Sequence, residues 1–236
     1  MKRMAMKTIG MIGGMSWASS LTYYQQANAL VQAQLGGLHS AEVILYSVDF
    51  AQIAVLQQQG EWAQAGAILA KAAQALEAAG AELMVLCTNT MHKVADQIVA
   101  ATRVPFIHIA DATGAAIQAA GLDTVALLGT DFTMTQDFYR QRLIEGFGLT
   151  VLTPDAAGRA GIHRIIYDEL CQGHLAPASK AFYLAQIEAL RQQGAQGVIL
   201  GCTEIGLLIQ QADVTLPVFD TTELHIAAAV SAALMA

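Results

Sequence analysis

Two short polar motifs in this sequence carry residue types that could move a proton. The first, Cys87–Thr90, reads Cys-Thr-Asn-Thr, and the second, Gly201–Glu204, reads Gly-Cys-Thr-Glu. Each follows an apolar run that opens with Gly-Ala, and an ungapped alignment of the two runs (202 − 88 = 114) places Thr88 opposite Cys202. A hydroxyl and a thiol aimed at one ligand from opposite sides would suit the removal and return of a proton on the two faces of one carbon atom.

Cys202 is the stronger candidate for the group that removes the proton. A small residue precedes it, a hydroxyl follows it and a helix is predicted to start just beyond it, and these are features of a thiol with a lowered pKa. A buried core cysteine is the alternative interpretation of the same residue. Cys87 aligns with Gly201 and not with a cysteine, and Cys171, inside a predicted helix, is expected to be structural.

Two further segments lie where they could contact a ligand. Gly13–Ser16 is either a tight turn between a strand and a helix or a turn whose amides face a carboxylate. The Gln-rich segment 49–62 is predicted to be a loop or a mobile helix, in which Gln57 either reaches a ligand or lies on a solvated polar face. The six histidines show no metal-ligand spacing, so no metal site is expected.

The elements that must position these motifs alternate between strand and helix. Short, continuous apolar runs predict strands buried on both faces of a parallel sheet: Thr8–Ile12, Val43–Val48, Leu83–Leu86, Phe106–Ile109, Val125–Leu128, Thr150–Leu152, Val198–Leu200 and Val218–Phe219. Helices are predicted between them: Trp17–Gln34, Glu61–Ala79, His92–Ala100, Asp111–Ala120, Asp131–Glu145, Ile162–Cys171, Pro177–Gln193 and Thr222–Leu234. Ligands bind at the carboxyl ends of the strands in such sheets, which is where both polar motifs fall.

A second internal similarity indicates a duplicated fold. Thr8–Gly13 resembles Thr124–Gly129 at an offset (124 − 8 = 116) close to that of the two polar motifs. The sequence therefore predicts an α/β protein of two pseudo-symmetric, doubly wound domains, each with a mainly parallel sheet and with the active site in the cleft between them. The predicted bounds are 1–103 plus 217–236 for the first domain and 104–216 for the second.

The composition is that of a compact folded protein that handles small molecules. Of 236 residues, 55% are hydrophobic and 13% charged, and the net charge of −7 opposes binding to nucleic acid or to anionic membrane. Mean hydropathy is +0.44, but no apolar run reaches about 18 residues. The N-terminal segment 1–6 resembles a weak signal peptide, but glycines and Lys7 interrupt it. Three widely spaced cysteines favour a reducing cytoplasm without a disulfide framework.

The motifs resemble those of a known family, the cofactor-independent aspartate/glutamate racemases. The similarity lies in Leu-Cys-Thr-Asn-Thr-Met-His (86–92), Val-Ile-Leu-Gly-Cys-Thr-Glu-Ile (198–205), Ile-Gly-Met-Ile-Gly-Gly-Met-Ser-Trp (9–17) and Leu-Leu-Gly-Thr (127–130). The resemblance implies two pseudo-symmetric α/β domains, often a homodimer, and racemisation of a small amino-acid substrate without pyridoxal phosphate or metal. No cofactor, nucleic acid or membrane partner is therefore expected.

One departure from the family pattern concerns the first signature. The usual Cys-Asn-Thr is here Cys-Thr-Asn-Thr, so Thr88 occupies the catalytic position and pairs with Cys202. This is similar to the branch that acts on L-aspartate and L-glutamate. The substrate contacts that the resemblance implies are Met15, Gln57, Asn89, Thr90, Thr130, Thr203 and Glu204. The Arg and Lys that bind carboxylates in some members have no clear match, except at His163 or Arg164.

Two other functions are compatible with these residues. An arylmalonate-type decarboxylase or a maleate-type cis–trans isomerase would use the same scaffold, and a lone thiol suits the decarboxylase. A noncatalytic protein that binds a small ligand between two α/β lobes is the third possibility. The Thr88/Cys202 pair favours the racemase, because inversion needs a proton-transferring group on each face of the carbon.

Overall fold

The computed structural model describes residues 6–235 of the chain. They form two compact units: the first comprises the chain up to Ile109 together with the part from His225 onward, and the second is Ala110–Leu224. The sequence-based bounds at 103/104 and 216/217 lie inside these units, so the extent of an independently folding domain stays a prediction. Within residues 6–235, no helix is both long enough and apolar enough to span a membrane.

The first unit is built on one four-stranded sheet. Its strands are β1 (Ile9–Gly13), β2 (Val43–Ser47), β3 (Leu83–Leu86) and β4 (Phe106–Ile107), in the order β2-β1-β3-β4, and every pair is parallel. Its helical elements are α1 (Trp17–Leu35), α2 (Phe50–Gln59), α3 (Trp62–Ala78), a 3₁₀ helix (Thr90–Val94) and α4 (Ala95–Ala100). Two further helices, α5 (Ile109–Ala119) and α11 (Thr221–Leu234), contain the points at which the chain passes from one unit to the other.

Helices cover both faces of this sheet, which explains why its central strands are apolar throughout. On one face Ile9, Met11 and Val85 pack with residues of α1 and α11, such as Val31 and Val230. On the other face, Ile12, Met84 and Leu86 pack with α3, mainly against its alanines and leucines. Alternate residues of a strand point to opposite faces, so a strand buried on both sides reads as one continuous apolar run.

The second unit repeats the strand order of the first. Its strands are β5 (Thr124–Gly129), β6 (Thr150–Leu152), β7 (Gly197–Gly201) and β8 (Val218–Asp220), all parallel and ordered β6-β5-β7-β8. Its remaining helical elements are α6 (Asp131–Thr135), α7 (Asp137–Phe147), α8 (Ala156–Asp168), a 3₁₀ helix (Leu170–Gln172), α9 (Pro177–Gln192), α10 (Ile205–Leu208) and a 3₁₀ helix (Gln211–Asp213). The predicted fold class, α/β with two parallel sheets, is confirmed.

The eight predicted strands are all present, whereas several predicted helices differ from the structure. Segment 49–62 is not a loop, because Asp49 caps α2 and Gly60 ends it in the left-handed conformation. The single helix predicted over Asp131–Glu145 is two helices separated at Gln136. Helix α8 begins at Ala156, six residues before the predicted Ile162, because the Asp155 carboxylate accepts the Gly158 N–H at 2.7 Å.

Candidate functional site

The strand register gives Thr88 and Cys202 equivalent places in the two sheets. In the first sheet Ile12 of β1 is paired with Leu86 of β3, so the next residue along β3 is Cys87 and the one after it is Thr88. In the second sheet Gly129 of β5 is paired with Gly201 of β7, and Cys202 follows. Gly13 corresponds to Gly129 in the internal repeat. Thr88 and Cys202 therefore both lie just past the carboxyl end of a central strand, at the same step of the repeat.

In the second unit, one carboxylate oxygen of Glu204 accepts hydrogen bonds from two side chains of the polar motif. The Cys202 thiol donates to Glu204 Oε2 at 3.0 Å, and the Thr203 hydroxyl donates to the same oxygen at 2.7 Å. All three side chains are buried or nearly so. Glu204 is thus placed to accept the thiol proton and, through Thr203, is held in the orientation that this requires.

The structure contradicts the expectation that the pKa of Cys202 is lowered. Burial raises the pKa of this thiol well above its usual value, and the nearby Glu204 carboxylate and Cys171 raise it further. The helix that follows, α10, has only four residues, and a carboxylate lies immediately before it. A buried thiol beside an acidic side chain is stabilised in its neutral form. Cys202 is therefore a thiol that donates to Glu204, and not a preformed thiolate.

Two tyrosines that the sequence analysis missed lie near enough to this thiol to respond to its charge. Tyr167 comes from α8 and Tyr183 from α9, and the Tyr183 hydroxyl donates to the Ile162 carbonyl at 3.4 Å. Burial raises the pKa of both phenols, and the negative charges of the Cys202 thiolate form and of Glu204 raise them further. Both are therefore neutral phenols at pH 7. No spacing signal in the sequence connects them with a cysteine that lies 19 or more positions away.

Thr130 and Asp131 form the neighbouring corner of the same sheet edge. Thr130 caps α6, and its Oγ1 accepts the Thr133 N–H at 3.3 Å. The Asp131 N–H donates to Nδ1 of His163 at 3.1 Å, and the Asp131 carboxylate lies 3.5 Å from Nε of Arg159. The structure therefore places Thr130, one of the predicted contacts, directly beside the strand that carries Cys202, since β5 and β7 are neighbours.

In the first unit, Thr88 begins a buried polar turn. Thr88, Asn89 and Thr90 are all at least nine-tenths buried, and the 3₁₀ helix starts at Thr90. The carbonyl oxygen of Thr88 accepts a hydrogen bond from Nδ1 of His92 at 2.8 Å. The backbone at Thr88 is thus fixed by a side chain four residues ahead, and the predicted contacts Asn89 and Thr90 lie in the same turn.

Three buried histidines form a cluster that is joined to this turn through His92. The ring centroids of His92 and His108 are 4.5 Å apart, and those of His92 and His225 are 5.7 Å apart. His225 Nε2 lies 2.8 Å from the Ile107 carbonyl oxygen, and its Nδ1 lies 2.8 Å from the Tyr23 hydroxyl. Burial lowers the pKa of His92 well below its usual range and that of His225 to about 4. His92 and His225 are therefore neutral at pH 7.

Gln57 and Met15 are both buried, and both lie close to Met91. Gln57 Nε2 donates to the sulfur of Met91 at 3.0 Å, and only 4% of the residue is exposed. Met15 packs in an apolar cluster with Met91 and Ile53. The interpretation of Gln57 as part of a polar surface is wrong, since α2 turns this residue towards the sheet.

The two other cysteines lie in apolar or half-buried surroundings. Cys87 belongs to the cluster that contains Tyr23, Val85 and Ile226, and burial raises its pKa. Its side chain therefore points to the face of the sheet covered by α1 and α11. Cys171 lies in a 3₁₀ helix, and burial raises the pKa of its thiol as well. Across residues 6–235, no group of three or more His, Cys, Asp or Glu side chains could hold a metal ion.

The chain is similar to several racemases and their relatives over nearly its whole length. The sequence profile of the Asp/Glu/hydantoin racemase family matches residues 12–229. A Yersinia pestis protein provisionally called an Asp/Glu racemase is 54% identical, with a TM-score of 0.91 over 97% of this chain and 100% of that one. An aspartate racemase homologue from Pyrococcus horikoshii OT3 is 39% identical, with a TM-score of 0.84 over 97% and 99% of the two chains. The Picrophilus torridus aspartate racemase, 18% identical, shares the fold, with a TM-score of 0.76 over 96% and 94%.

Proposed function

We propose that this protein inverts the acidic amino acids L-aspartate and L-glutamate. The chain belongs to the Asp/Glu/hydantoin racemase family and is therefore an amino-acid racemase, which is a kind of isomerase. Cys202 removes the Cα proton from one face and Thr88 returns a proton to the other. The observation that carries the proposal is the hydrogen bond from the Cys202 thiol to Glu204 at 3.0 Å. This hydrogen bond provides an acceptor, Glu204, for the thiol proton when the sulfur removes the proton from Cα.

Both protein groups that exchange protons in the first step, Cys202 and Glu204, belong to the second unit. The thiol S–H bond breaks as Glu204 Oε2 takes the proton, and the sulfur forms a new S–H bond with the proton of Cα. The electron pair of the Cα–H bond remains on carbon as a carbanion. A neutral thiol with a raised pKa suits this step, because the sulfur becomes a stronger base once its proton has left.

The second step uses the equivalent position of the first sheet. The Thr88 hydroxyl gives its proton to Cα, and the cycle ends when Thr88 regains a proton and Glu204 releases one. A hydroxyl is a weak base, so removal of a proton by Thr88 should be much slower than removal by Cys202. We therefore propose that the L-enantiomer exchanges its Cα proton with solvent more readily than the D-enantiomer.

Substrate contacts are proposed at the polar side chains of the two strand-end turns. Asn89 and Thr90 in the first unit, and Thr130 in the second, offer donors to a carboxylate. Thr203, whose hydroxyl donates to Glu204, is proposed to contact the substrate as an acceptor. Support comes from their burial at the strand ends, where a buried donor gains from an anionic partner. Met15 and Gln57 are proposed to shape the pocket wall, since they pack together around Met91.

Cofactor independence, a cytoplasmic location and a homodimer are parts of the same proposal. Three free cysteines support a reducing compartment. A homodimer is supported by an exposed apolar stripe on α1, where Trp17, Leu21 and Tyr24 are 71%, 55% and 50% exposed. Residues at this spacing share one face of a helix, and exposed aromatic stripes of this kind are typical of protein interfaces. Sedimentation of the wild type and of Trp17→Ser would test the dimer.

Exchange of the Cα proton with deuterated water tests the proposed activity. L-Aspartate and L-glutamate should each lose the Cα proton in the presence of the wild type and lose none with Cys202→Ser. Cys171→Ser is the matched control and should be close to wild type. Deuterium incorporation by the wild type into neither amino acid would refute the proposal, and loss of CO₂ from a malonate would instead favour the decarboxylase.

A further inference from the structure

The carbonyl oxygen of Thr88 is bound by a side chain, whereas the equivalent oxygen in the second unit is bound by the main chain. The carbonyl oxygen of Cys202 accepts the N–H of Ile205, three residues ahead, at 3.1 Å. In the first unit the corresponding main-chain bond begins one residue later, from the N–H of His92 to the carbonyl oxygen of Asn89 at 3.0 Å. The Thr88 oxygen is left outside this pattern, and Nδ1 of His92 binds it at 2.8 Å.

The two ring nitrogens of His92 have different partners, which determines the tautomer of the ring. A carbonyl oxygen can only accept a hydrogen bond, so Nδ1 carries the hydrogen that is shared with Thr88. Nε2 accepts the N–H of Ile109 at 3.2 Å and therefore carries no hydrogen. Burial lowers the pKa of His92 well below its usual range, and the neighbouring His108 and His225 lower it further. The ring is thus a neutral donor and acceptor with one fixed orientation.

Three hydrogen bonds hold the main chain on the two sides of the Thr88 Cα atom. On the preceding side, the Ser19 hydroxyl donates to the Cys87 carbonyl oxygen at 3.1 Å, and the Thr88 N–H donates to the Leu86 carbonyl oxygen at 2.9 Å. On the following side, His92 donates to the Thr88 carbonyl oxygen. Because peptide units are planar, two held units determine φ and ψ of the residue between them. They therefore also determine the direction of its Cα–Cβ bond.

The direction of the Thr88 side chain matters because a hydroxyl must be placed accurately to transfer a proton. A displacement of about 1 Å in a reacting group can cost about 100-fold in rate. The proton removal that we assign to Cys202 does not depend on this geometry, because Cys202 and Glu204 belong to the second unit. Proton return by Thr88 and proton removal by Cys202 should therefore respond differently to a change at His92.

We propose that His92 is a positioning residue for inversion, which holds the carbonyl oxygen of Thr88 and so directs the Thr88 hydroxyl at the Cα atom that has lost its proton. The inference rests on the proposed function and deepens it, because it names the side chain on which the return of the proton depends. His92 itself touches neither the substrate nor the transferred proton. Loss of its bond to Thr88 lowers inversion of L-glutamate but preserves exchange of the Cα proton by Cys202.

Two substitutions separate the two hydrogen bonds of the His92 ring. In His92→Asn the amide nitrogen can replace Nδ1 as donor to Thr88, but the acceptor for the Ile109 N–H is lost. In His92→Gln the amide oxygen can replace Nε2 as acceptor for Ile109, but the donor to Thr88 is lost. Each variant loses one buried hydrogen bond and some side-chain volume, so both should have a lower midpoint of thermal unfolding. Only His92→Gln releases the Thr88 carbonyl oxygen.

His225→Gln is the control for a general loss of stability in the histidine cluster. The ring of His225 lies beside that of His92, with centroids 5.7 Å apart. Its nitrogens lie 2.8 Å from the Tyr23 hydroxyl and 2.8 Å from the Ile107 carbonyl oxygen, which are both outside the turn that carries Thr88. This variant should therefore unfold at a lower temperature than the wild type without a change in the balance between inversion and exchange.

L-Glutamate in deuterated water gives both rates from one reaction, since proton NMR measures loss of the Cα proton and chiral chromatography measures the D-enantiomer. We expect the ratio of inversion to exchange to fall about 10- to 100-fold in His92→Gln. The ratio should stay close to wild type in His92→Asn and His225→Gln. A wild-type ratio in a folded His92→Gln overturns the inference, and so does an equal fall in His92→Asn. Absence of Cα exchange by the wild type would instead refute the proposed function.

A measurement on the wild type makes the test independent of how the variants fold. Long-range proton–nitrogen NMR distinguishes the two neutral tautomers of an imidazole, and nuclear Overhauser contacts with Ile109 identify the His92 ring. We expect the hydrogen on Nδ1 at pH 7. A hydrogen on Nε2 would overturn the inference, because Nδ1 could then not donate to Thr88.

Discussion

His92 holds the carbonyl oxygen of Thr88 through its Nδ1 at 2.8 Å, and its Nε2 accepts the N–H of Ile109 at 3.2 Å. One imidazole thus joins the turn after β3 to the first residue of α5. Since Nε2 accepts, the hydrogen of the neutral ring is on Nδ1, which agrees with donation to Thr88. A protonated His92 would lose the bond to Ile109, so the position of Thr88 depends on a neutral histidine.

We predict that the protein loses stability below about pH 6.5 because of this histidine cluster. The pKa values of His92 and His225 are lowered in the folded state, that of His225 to about 4, so the unfolded chain binds more protons as the pH falls. The loss should begin near the unfolded pKa and level off for His225 near pH 4, at about 1.4 kcal/mol per pH unit for each histidine.

Urea unfolding between pH 4 and pH 8 would measure this dependence. His225→Gln should give a shallower slope, because one of the titrating groups is gone. The exposed His174 offers the control, and His174→Gln should leave the slope unchanged. A slope equal to wild type in His225→Gln would show that the acid sensitivity comes from elsewhere.

Cys87→Ala should retain most of the activity, in contrast to Cys202→Ser. The Cys87 side chain is fully buried in the apolar cluster below the sheet, so its removal costs stability of about 1–2 kcal/mol and touches no substrate. Cα exchange and the free energy of unfolding should be measured on both variants. Complete loss of exchange in Cys87→Ala, with Thr88→Ala unaffected, would mean that the register of the reacting residues is shifted by one.

Thr88→Ala should abolish inversion but preserve exchange from the L-enantiomer. Cys202 can still remove and return a proton on its own face, whereas no group serves the other. Thr88→Cys should accept the D-enantiomer more readily than the wild type, because a thiol is a stronger base than a hydroxyl at neutral pH. L- and D-glutamate in deuterated water, followed by proton NMR and polarimetry, separate exchange from inversion. Equal rates of Cα exchange from L- and D-glutamate in the wild type would contradict the assigned asymmetry.

Glu204→Gln should slow exchange by about 10²- to 10⁴-fold, the usual contribution of a general base. The amide can still accept hydrogen bonds from Cys202 and Thr203, but it cannot take the thiol proton. Because the raised pKa of Cys202 owes part of its value to Glu204, the thiol of the variant should ionise at lower pH. The pH dependence of Cys202 alkylation, measured in a Cys171→Ser background, would show this shift. An unchanged alkylation profile together with normal exchange would exclude Glu204 as the proton acceptor.

Features carried by local sequence were predictable, and features that depend on distant side chains were not. The strands and the repeat that pairs Thr88 with Cys202 follow from short apolar runs between glycines. For the segment of helix α2 the choice between a loop and a mobile helix stayed open, because its Gln-rich sequence shows weak periodicity. The start of α8 was missed because its first turn, 156–159, contains only Ala, Gly and Arg and so shows no amphipathic pattern. The capping carboxylate of Asp155 was the available signal.

The environment of the thiol was the part of the site that sequence could not show. Its raised pKa depends on how far the chain buries Cys202 and on the rotamer that brings Glu204 back to the sulfur. Similarly, His92 and His225 are 133 positions apart (225 − 92 = 133), yet their rings are neighbours. Contacts of this kind arise only from the tertiary fold, so a motif can identify a residue without revealing its protonation state.

The edge strand β2 makes the protein prone to aggregation in concentrated solution. Among residues 6–235 it pairs with β1 alone, and Leu45 and Tyr46 on it are more than two-fifths exposed. Its sequence, Val-Ile-Leu-Tyr-Ser, has neither charge nor proline, the usual devices that prevent an edge from recruiting further strands. Partial unfolding of the helices beside it would expose a segment suited to cross-β stacking. Aggregation of the heated or acidified protein should therefore begin at this strand. Leu45→Lys or Tyr46→Lys should suppress it.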